Sequence, residues 1–309
     1  MAVLTAILAA FLFGVSAVAD QRSTKKVRHR KAGSPFIFVD LVRQPLWLTA
    51  IAANVAGFAL QVVALKFGSL AVVQPLLVAD LPFAVLISWQ VRRRSGMAGG
   101  AVAAPIPMPL MLSGVFLTFG GVAGFLAIAR PSAGTTHISN TIVAPLALGL
   151  VAVLGICMVV ARRDLKLRPL ALALACGVNY GVAAFVVKLV TSEFGGGAAK
   201  VFTSWPIYAL AIVGPAGFLL NQDALQEGTF LAPVQAIITT ADPIISIALA
   251  ILWLNVHVSS SPAGIAGQVI SLAVMTAGIV ITAHSAPQCQ PKPAQKVVQA
   301  ANAPPPAPS

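Results

Sequence analysis

The sequence is poor in charged residues, and acidic residues are the scarcest of them. Only 9% of the 309 residues are charged, with 8 Asp and Glu against 20 Lys and Arg, whereas a soluble domain carries about 25% charged residues. This shortage leaves too little polar surface to cover a globule in water, so a soluble enzyme and a disordered chain are excluded. The three cysteines lie in apolar runs or in the C-terminal tail, which excludes a secreted disulfide scaffold.

Long apolar runs, in contrast, are abundant. Hydrophobic residues make up 58% of the chain and the mean hydropathy is +0.90, which is enough for about nine membrane spans of roughly 20 residues each. We therefore expect an all-α polytopic membrane protein embedded in the lipid bilayer. A shorter apolar stretch at 36–42 predicts a segment lying at the interface. The predicted spans are 2–19, 46–65, 70–90, 109–129, 138–160, 169–190, 204–220, 229–252 and 262–284.

The basic residues predict the orientation. With the N-terminus outside, 16 of the 20 Lys and Arg fall in inward connections and the C-terminal tail, and three fall outside. The positive-inside rule therefore predicts nine spans in the plasma membrane, with the N-terminus out and the C-terminus in, and nucleic acid is not an expected partner. Lys188 remains, near the outer end of the sixth span, where we expect its ammonium group to snorkel to the interface. Residues 16–19 resemble a signal-peptidase site, but no Lys or Arg precedes them, so the first segment is predicted to be a span.

An internal repeat relates the first four spans to the last four. The run Gly-Phe-Ala-Leu-Gln at 57–61 recurs as Gly-Phe-Leu-Leu-Asn at 217–221. Because five spans separate the two copies of each element, the second copy crosses the membrane in the opposite direction, and such an inverted repeat is typical of transporters. Three domains are therefore predicted: 1–160, the first repeat with a linking fifth span; 161–284, the inverted second repeat; and 285–309, a disordered Pro/Ala-rich cytoplasmic tail. Further matches are Phe13-Gly14 with Tyr180-Gly181, Gln74 with Gln235 and Pro82 with Pro243.

Four motifs of the first repeat carry a resemblance to a known family. They are Phe13-Gly14, Arg-Gln-Pro-Leu-Trp at 43–47, Gly-Phe-Ala-Leu-Gln-Val-Val-Ala-Leu at 57–65 and Val-Gln-Pro-Leu-Leu at 73–77. With these motifs, residues 1–284 resemble the drug/metabolite transporter superfamily (EamA-like proteins). The nine spans and the outside N-terminus are similar to its NIPA-like magnesium transporter branch, in an actinobacterial style of sequence. The resemblance implies two repeats around a central cavity and alternating access, with cargo as different as amino acids, nucleotide sugars, drugs and cations.

Two acids fall near the middle of predicted spans. Asp80 lies in the third span and Asp242 in the eighth, which is its repeat partner, and a proline follows each of them closely (Pro82 and Pro243). An ionisable group within the bilayer is costly and marks a site or pathway. A proline frees a carbonyl oxygen one turn earlier, and we expect the opened helix to supply oxygen ligands beside each carboxylate. Such oxygen chemistry suits a hard cation or a proton relay, so both aspartates are candidate substrate, ion or metal ligands. Asp80 precedes its proline by two residues and Asp242 precedes its proline by one, so the two aspartates are one position out of register. The alternative is that each aspartate only fixes helix packing.

Neutral polar residues in the same spans are weaker candidates. We select Asn54, Gln74, Asn179 and Gln235 as substrate-binding or ion-binding residues, although interhelical hydrogen bonding is the usual role of such residues in membrane helices. No H-E-x-x-H, Walker or Cys-x-x-Cys motif occurs in the sequence, so we expect neither an enzyme nor a cofactor.

The prediction that follows is a secondary transporter of a small solute or cation, with Mg²⁺ as the cation that the resemblance implies. A proton-coupled exporter of a metabolite or drug is the first alternative. A non-transporting scaffold for cell-envelope assembly is the second, although a scaffold does not need two inverted halves.

Overall fold

In the computed structural model the described residues are 1–27, 44–95, 108–132, 140–164, 167–226, 231–259 and 261–285, and all regular structure within them is helical. Short 3₁₀ turns at Asn140–Ile142 and Phe194–Gly196 complete these elements. The α-helices of this part of the chain are α1 (Ala2–Val27), α2 (Pro45–Phe67), α3 (Leu70–Leu77), α4 (Asp80–Ser95), α5 (Met108–Ala129), α6 (Val143–Arg163), α7 (Arg168–Glu193), α8 (Ala198–Thr203), α9 (Trp205–Gln226), α10 (Leu231–Trp253) and α11 (Pro262–Ser285).

The predicted class, an all-α polytopic membrane protein, is confirmed. The described residues contain eight spans long and apolar enough to cross a bilayer, and the apolar part of α9, Trp205–Asn221, is a shorter ninth. Each predicted span coincides with helix, but the third is divided into α3 and α4, and the fifth begins later than expected, at Val143. The predicted interfacial segment 36–42 and the tail from residue 286 lie outside the described residues. The inverted repeat, the domain limits and the sidedness stay predictions.

Proline and glycine set several helix limits. Pro45 and Pro169 stand in the first turns of α2 and α7, and Pro262 begins α11. A proline is favoured there because its ring fixes φ and the missing N–H has no partner in the first turn of a helix. At the other end of α2, the main-chain N–H of Gly68 donates to the carbonyl of Ala64 (2.8 Å) and closes the last turn.

Helices α1 and α7 have the same kind of neighbours. Helix α1 packs against α2 and α4, and α7 packs against α9 and α10. In the first group the face of Gly57 lies on the ring of Phe13, and in the second the face of Gly217 lies on the ring of Tyr180. These are the residue pairs that the predicted sequence repeat aligns, so the two groups share this glycine–aromatic contact.

Helices α5 and α11 make the most extensive helix pair in the described residues, whereas the two groups contact each other directly where α3 packs on α10 and α2 packs on α7. Gly114 contacts Thr282, and Gly121, farther along α5, contacts Met275, which is earlier in α11. The two helices are therefore antiparallel. Their glycines let the backbones approach closely, which is how membrane helices associate without a hydrophobic driving force between them.

Helix α7 occupies the centre of the molecule. Of its apolar span, 78% is buried, against 11% for α6. Helix α6 lies at the periphery, packs against α7, and buries only Leu146, Cys157 and Ala161 among its described residues. Besides α6, α9 and α10, α7 also contacts α2 and α3. The expectation that Lys188 snorkels to the interface is wrong. Its side chain is buried because helix α2 packs against this part of α7, and its ammonium group donates to main-chain carbonyls at the end of α2.

Candidate central polar site

Asp80 stands at a break in the third span. Helix α3 ends at Leu77 and α4 begins at Asp80, with a turn at residues 78 and 79 between them. Pro82 contributes to the break because it has no N–H to donate to the carbonyl of Val78. The carboxylate of Asp80 accepts a hydrogen bond from the main-chain N–H of Leu81, at the start of α4, where a negative charge is favourable. The opened helix expected at this proline is confirmed.

Asp242 lies in a different backbone setting. Helix α10 runs without interruption through Pro243, so the opening expected here is absent and only the carbonyl of Thr239 loses its helical donor. The residue is half-buried. Its Oδ1 atom is sealed from solvent and has no hydrogen-bond partner in the described part of the chain, and the same holds for Oδ1 of Asp80.

Each aspartate is held against a glycine of the first helix in its group. A Cβ atom at Gly14 of α1 would lie 2.9 Å from the carbonyl oxygen of Asp80, and one at Gly181 of α7 would lie 2.8 Å from that of Asp242. The next turn of each acidic helix, at Phe83 and Ile245, contacts the same glycine. Because Gly14 and Gly181 are aligned by the repeat, the packing makes the two aspartates structural equivalents. Counting from the prolines had left them one position out of register.

The two carboxyl groups are carried by neighbouring segments. Helix α3, which leads to Asp80, packs against α10, and Asp80 lies within electrostatic range of Asp242. Two like charges withdrawn from water repel each other and lose hydration, so the arrangement is unfavourable until a cation or a proton occupies it. A pair of carboxylates with unused oxygen atoms can bind a hard cation or exchange protons.

The four neutral candidates are placed in different environments. Gln74 is 1% exposed on α3, and its Nε2 atom has no partner among the described residues. Asn179 is equally buried and donates from Nδ2 to the carbonyl of Val213 on α9 (2.8 Å), while its Oδ1 atom lacks a partner within the described ranges. Gln235 is half-buried, and its Nε2 contacts Oγ1 of Thr239 on its own helix at 3.4 Å.

Asn54, the fourth of these candidates, is exposed on α2. The structure thus places the two aspartates on contacting segments and leaves one unused polar atom each on Gln74 and Asn179, whereas Gln235 bonds within α10. Asn179 fits the packing interpretation through one atom of its amide and leaves the other atom unused.

Two residues near Asp242 were not selected from the sequence. The thiol of Cys176 on α7 donates to the carbonyl of Gly217 on α9 (3.7 Å), and both Cys176 and Tyr180 lie within electrostatic range of Asp242. The signal was present in the repeat, because Tyr180 stands where the first half has Phe13. Substituting tyrosine for phenylalanine adds a polar atom to one half only, and the apolar run around it concealed this difference.

The donor set fits a cation that keeps much of its own hydration. Within the described residues no three His, Cys, Asp or Glu residues converge on one point, so a cage of protein ligands is not present there. Mg²⁺ is commonly bound by one or two carboxylates while it retains several waters, and this needs no more than Asp80 and Asp242 with amide or carbonyl oxygens nearby.

Comparison with known proteins gives a distant relative but assigns no family. No family model matches the chain, and no solved structure matches it. The chain is similar to an uncharacterized protein of Corynebacterium glutamicum, with 27% identity over 265 residues that cover 80% of this chain and 85% of the relative. The similarity therefore extends over most of both proteins, while the name of the relative says nothing about activity.

Proposed function

We propose that the protein is a secondary transporter that moves a small solute or cation by alternating access, with Asp80 and Asp242 as the charged groups of its central site. One observation carries the proposal: two carboxyl groups from the two halves lie within electrostatic range of each other, each with an oxygen sealed from solvent and unpaired among the described residues. A membrane protein that uses acids only for packing would satisfy those oxygens.

The arrangement of the helices supports the same proposal. Each aspartate is carried by a helix that packs on the first helix of its own half, through Gly14 in one half and Gly181 in the other. If the halves rock against each other, each carboxylate moves with its half and the shared site changes. This is how pseudo-symmetric transporters expose one site alternately to the two sides of the membrane.

The substrate we propose is a divalent cation, with Mg²⁺ as the candidate. Two carboxylates balance its charge, and the carbonyls of Val78 and Thr239, which lose their helical donors to Pro82 and Pro243, are the kind of ligand it accepts. The resemblance to NIPA-like magnesium transporters is a separate reason for choosing Mg²⁺ from among the divalent cations.

Proton-coupled export of a metabolite or drug is the second candidate. The specific observation in its favour is the mutual repulsion of the two buried carboxyl groups, since one proton relieves it as well as a metal ion does. In that case protonation and substrate binding would compete for the same pair.

Flux into liposomes that contain the purified full-length chain tests both candidates. A magnesium-sensitive dye inside the vesicles reports Mg²⁺ entry, and a pH-sensitive dye reports proton movement when a solute gradient is applied. We expect Mg²⁺ entry that Asp80→Asn and Asp242→Asn each reduce to the level of protein-free vesicles. Asp223→Asn is the matched control, because Asp223 is exposed near the end of α9 and should not alter flux.

Three other results would change the assignment. Proton movement without Mg²⁺ entry, lost in the same two variants, would favour the exporter. Full flux in the double variant would remove the acids from the mechanism. No flux with any solute would leave the scaffold as the better description.

A further inference from the structure

Lys188 is a buried cation that the proposed transport site does not use. Lys188 is 8% exposed. Its Nζ atom donates one hydrogen bond to the carbonyl of Leu65 (2.6 Å) and another to the carbonyl of Gly68 (2.7 Å). Both acceptors lie at the C-terminal end of α2, where carbonyls have no helical donor and the helix dipole favours a positive charge. The bonds are charge-assisted and shielded from water, so they are stronger than ordinary hydrogen bonds.

The position of Lys188 relates it to the acidic pair. Gly181 faces Asp242, and Gly177, one turn earlier, faces Ala241, so both mark the stripe of α7 that packs on α10. Lys188 continues this stripe, seven residues beyond Gly181, which places it about 10 Å along the helix from the level of Asp242. Along this face of α7, Lys188 therefore lies between the level of the carboxyl groups and the end of the helix.

The contact of Lys188 also crosses between the two halves. Lys188 belongs to the central helix of the second half, and its acceptors belong to α2 of the first. After Gly68 the chain turns at Ser69 into α3, whose far end is the break before Asp80. A movement that separates α7 from this corner must therefore break both hydrogen bonds, and the same movement displaces the segment that carries Asp80.

We propose that Lys188 is a gate residue, which holds closed the route from the acidic pair to the membrane side at which α2 and α7 end. The proposal deepens the proposed function and rests on it for treating Asp80 and Asp242 as the transport site. While the two bonds persist, α7 stays against the α2–α3 corner, and the ammonium group repels any cation on this route. Opening the site to this side of the membrane requires both hydrogen bonds of Lys188 to break. A lysine that merely stabilises the fold would have no effect on which side of the membrane reaches the site.

Side-specific cysteine labelling tests the gate without requiring any known cargo. Ala184, one turn from Lys188 toward the acids, is 3% exposed and becomes the reporter as Ala184→Cys. It is introduced into the full-length chain after Cys157→Ser, Cys176→Ala and Cys289→Ser. A membrane-impermeant maleimide is then added to either face of oriented membrane vesicles. Lys200→Cys identifies the face on which Lys188 lies, because Lys200 is half-exposed at the same end and pairs with Glu193.

Lys188→Met preserves the length of the side chain and removes its charge and donors. We expect it to raise labelling of residue 184 about tenfold from the face marked by Lys200, since loss of a charge-assisted hydrogen bond shifts a two-state equilibrium by at least that factor. Labelling from the opposite face should stay unchanged. Lys200→Met, which removes an exposed charge from the same end, should leave both rates unchanged.

Two results would overturn the gate. One is an unchanged labelling rate in folded Lys188→Met protein, and the other is an equal increase from both faces, which would indicate general loosening. If Lys188→Met does not yield folded protein, Lys188→Gln decides by the same criteria, because its amide is a polar, uncharged group that ends one atom short of the ammonium position. The labelling result does not depend on the flux assay. The gate role of Lys188 can therefore be disproved while the transporter assignment stands, and the transporter assignment can be disproved while the labelling result stands.

Discussion

Gly14 of α1 lies directly against the main-chain carbonyl oxygen of Asp80, with space for a hydrogen atom where any other residue has a Cβ atom. This contact fixes the height of the acidic residue relative to the first helix. Its counterpart between Gly181 and Asp242 fixes the second acid in the same way. The candidate site therefore depends on two glycines as much as on two carboxylates.

The first prediction concerns these glycines. Gly14→Ala and Gly181→Ala should each lower the free energy of unfolding by about 1–3 kcal/mol, because the new methyl group meets the main chain of the neighbouring helix, which cannot yield as a flexible side chain does. Thermal unfolding of the protein in detergent measures the change. Gly120→Ala is the control, since a Cβ atom there meets nothing within 4 Å, and equal unfolding temperatures in all three variants would contradict the close approach.

The second prediction separates a functional from a structural role for the aspartates. Asp80→Asn and Asp242→Asn should each leave the free energy of unfolding unchanged or raise it by about 1 kcal/mol, because each removes one of two buried like charges. The unfolding temperature should stay the same or rise accordingly. The same variants should lose transport. A fall in unfolding temperature for both would instead indicate that the carboxylates are packing groups with satisfied partners.

The third prediction compares two asparagines of equal chemistry and unequal burial. Asn179→Ala should lower stability by about 1 kcal/mol, since it removes the hydrogen bond to Val213 on α9 in a water-poor environment. Asn54→Ala should have almost no effect, because Asn54 is exposed on α2. Detergent melting curves of the two variants, measured side by side, test the difference, and similar losses would contradict the exposed position of Asn54.

The fourth prediction concerns the number of spans. If α9 crosses the membrane along with the eight longer spans, the count is odd and the two termini lie on opposite sides. Short epitope tags before Met1 and after Ser309 should therefore be accessible to antibody from different faces, with the N-terminal tag on the outer face of intact cells. Access to both tags from one face would mean that the short helix does not span.

The sequence predicted the fold well where the signal is local. Hydropathy in a window of about 20 residues identifies a span whatever it packs against, so the spans were found without knowledge of their neighbours. Pro82 likewise predicted a break beside Asp80, because a missing N–H acts within one turn. Pro243 did not open α10, which shows that packing on α7 can keep a proline-containing helix continuous.

The candidate site was predicted only in part. Asp80 and Asp242 were selected because a charge in an apolar run is visible in the sequence. Their equivalence was not visible, since it depends on which residue of α1 or α7 each one faces. Tyr180 was passed over for a similar reason: its hydroxyl group becomes relevant only when Cys176 and Asp242 are close to it.

Sequence alone determined that this chain belongs in a bilayer, how it divides into helical spans and which rare acids lie deep within them, because these properties depend on the hydration of each residue in turn. Tertiary structure decided that Lys188 is bonded to the end of α2 instead of reaching water, and that Asp80 and Asp242 act on each other across two helices. These partners are more than a hundred residues apart in the chain. Their interactions depend on distance in space, and distance is set only when the helices pack.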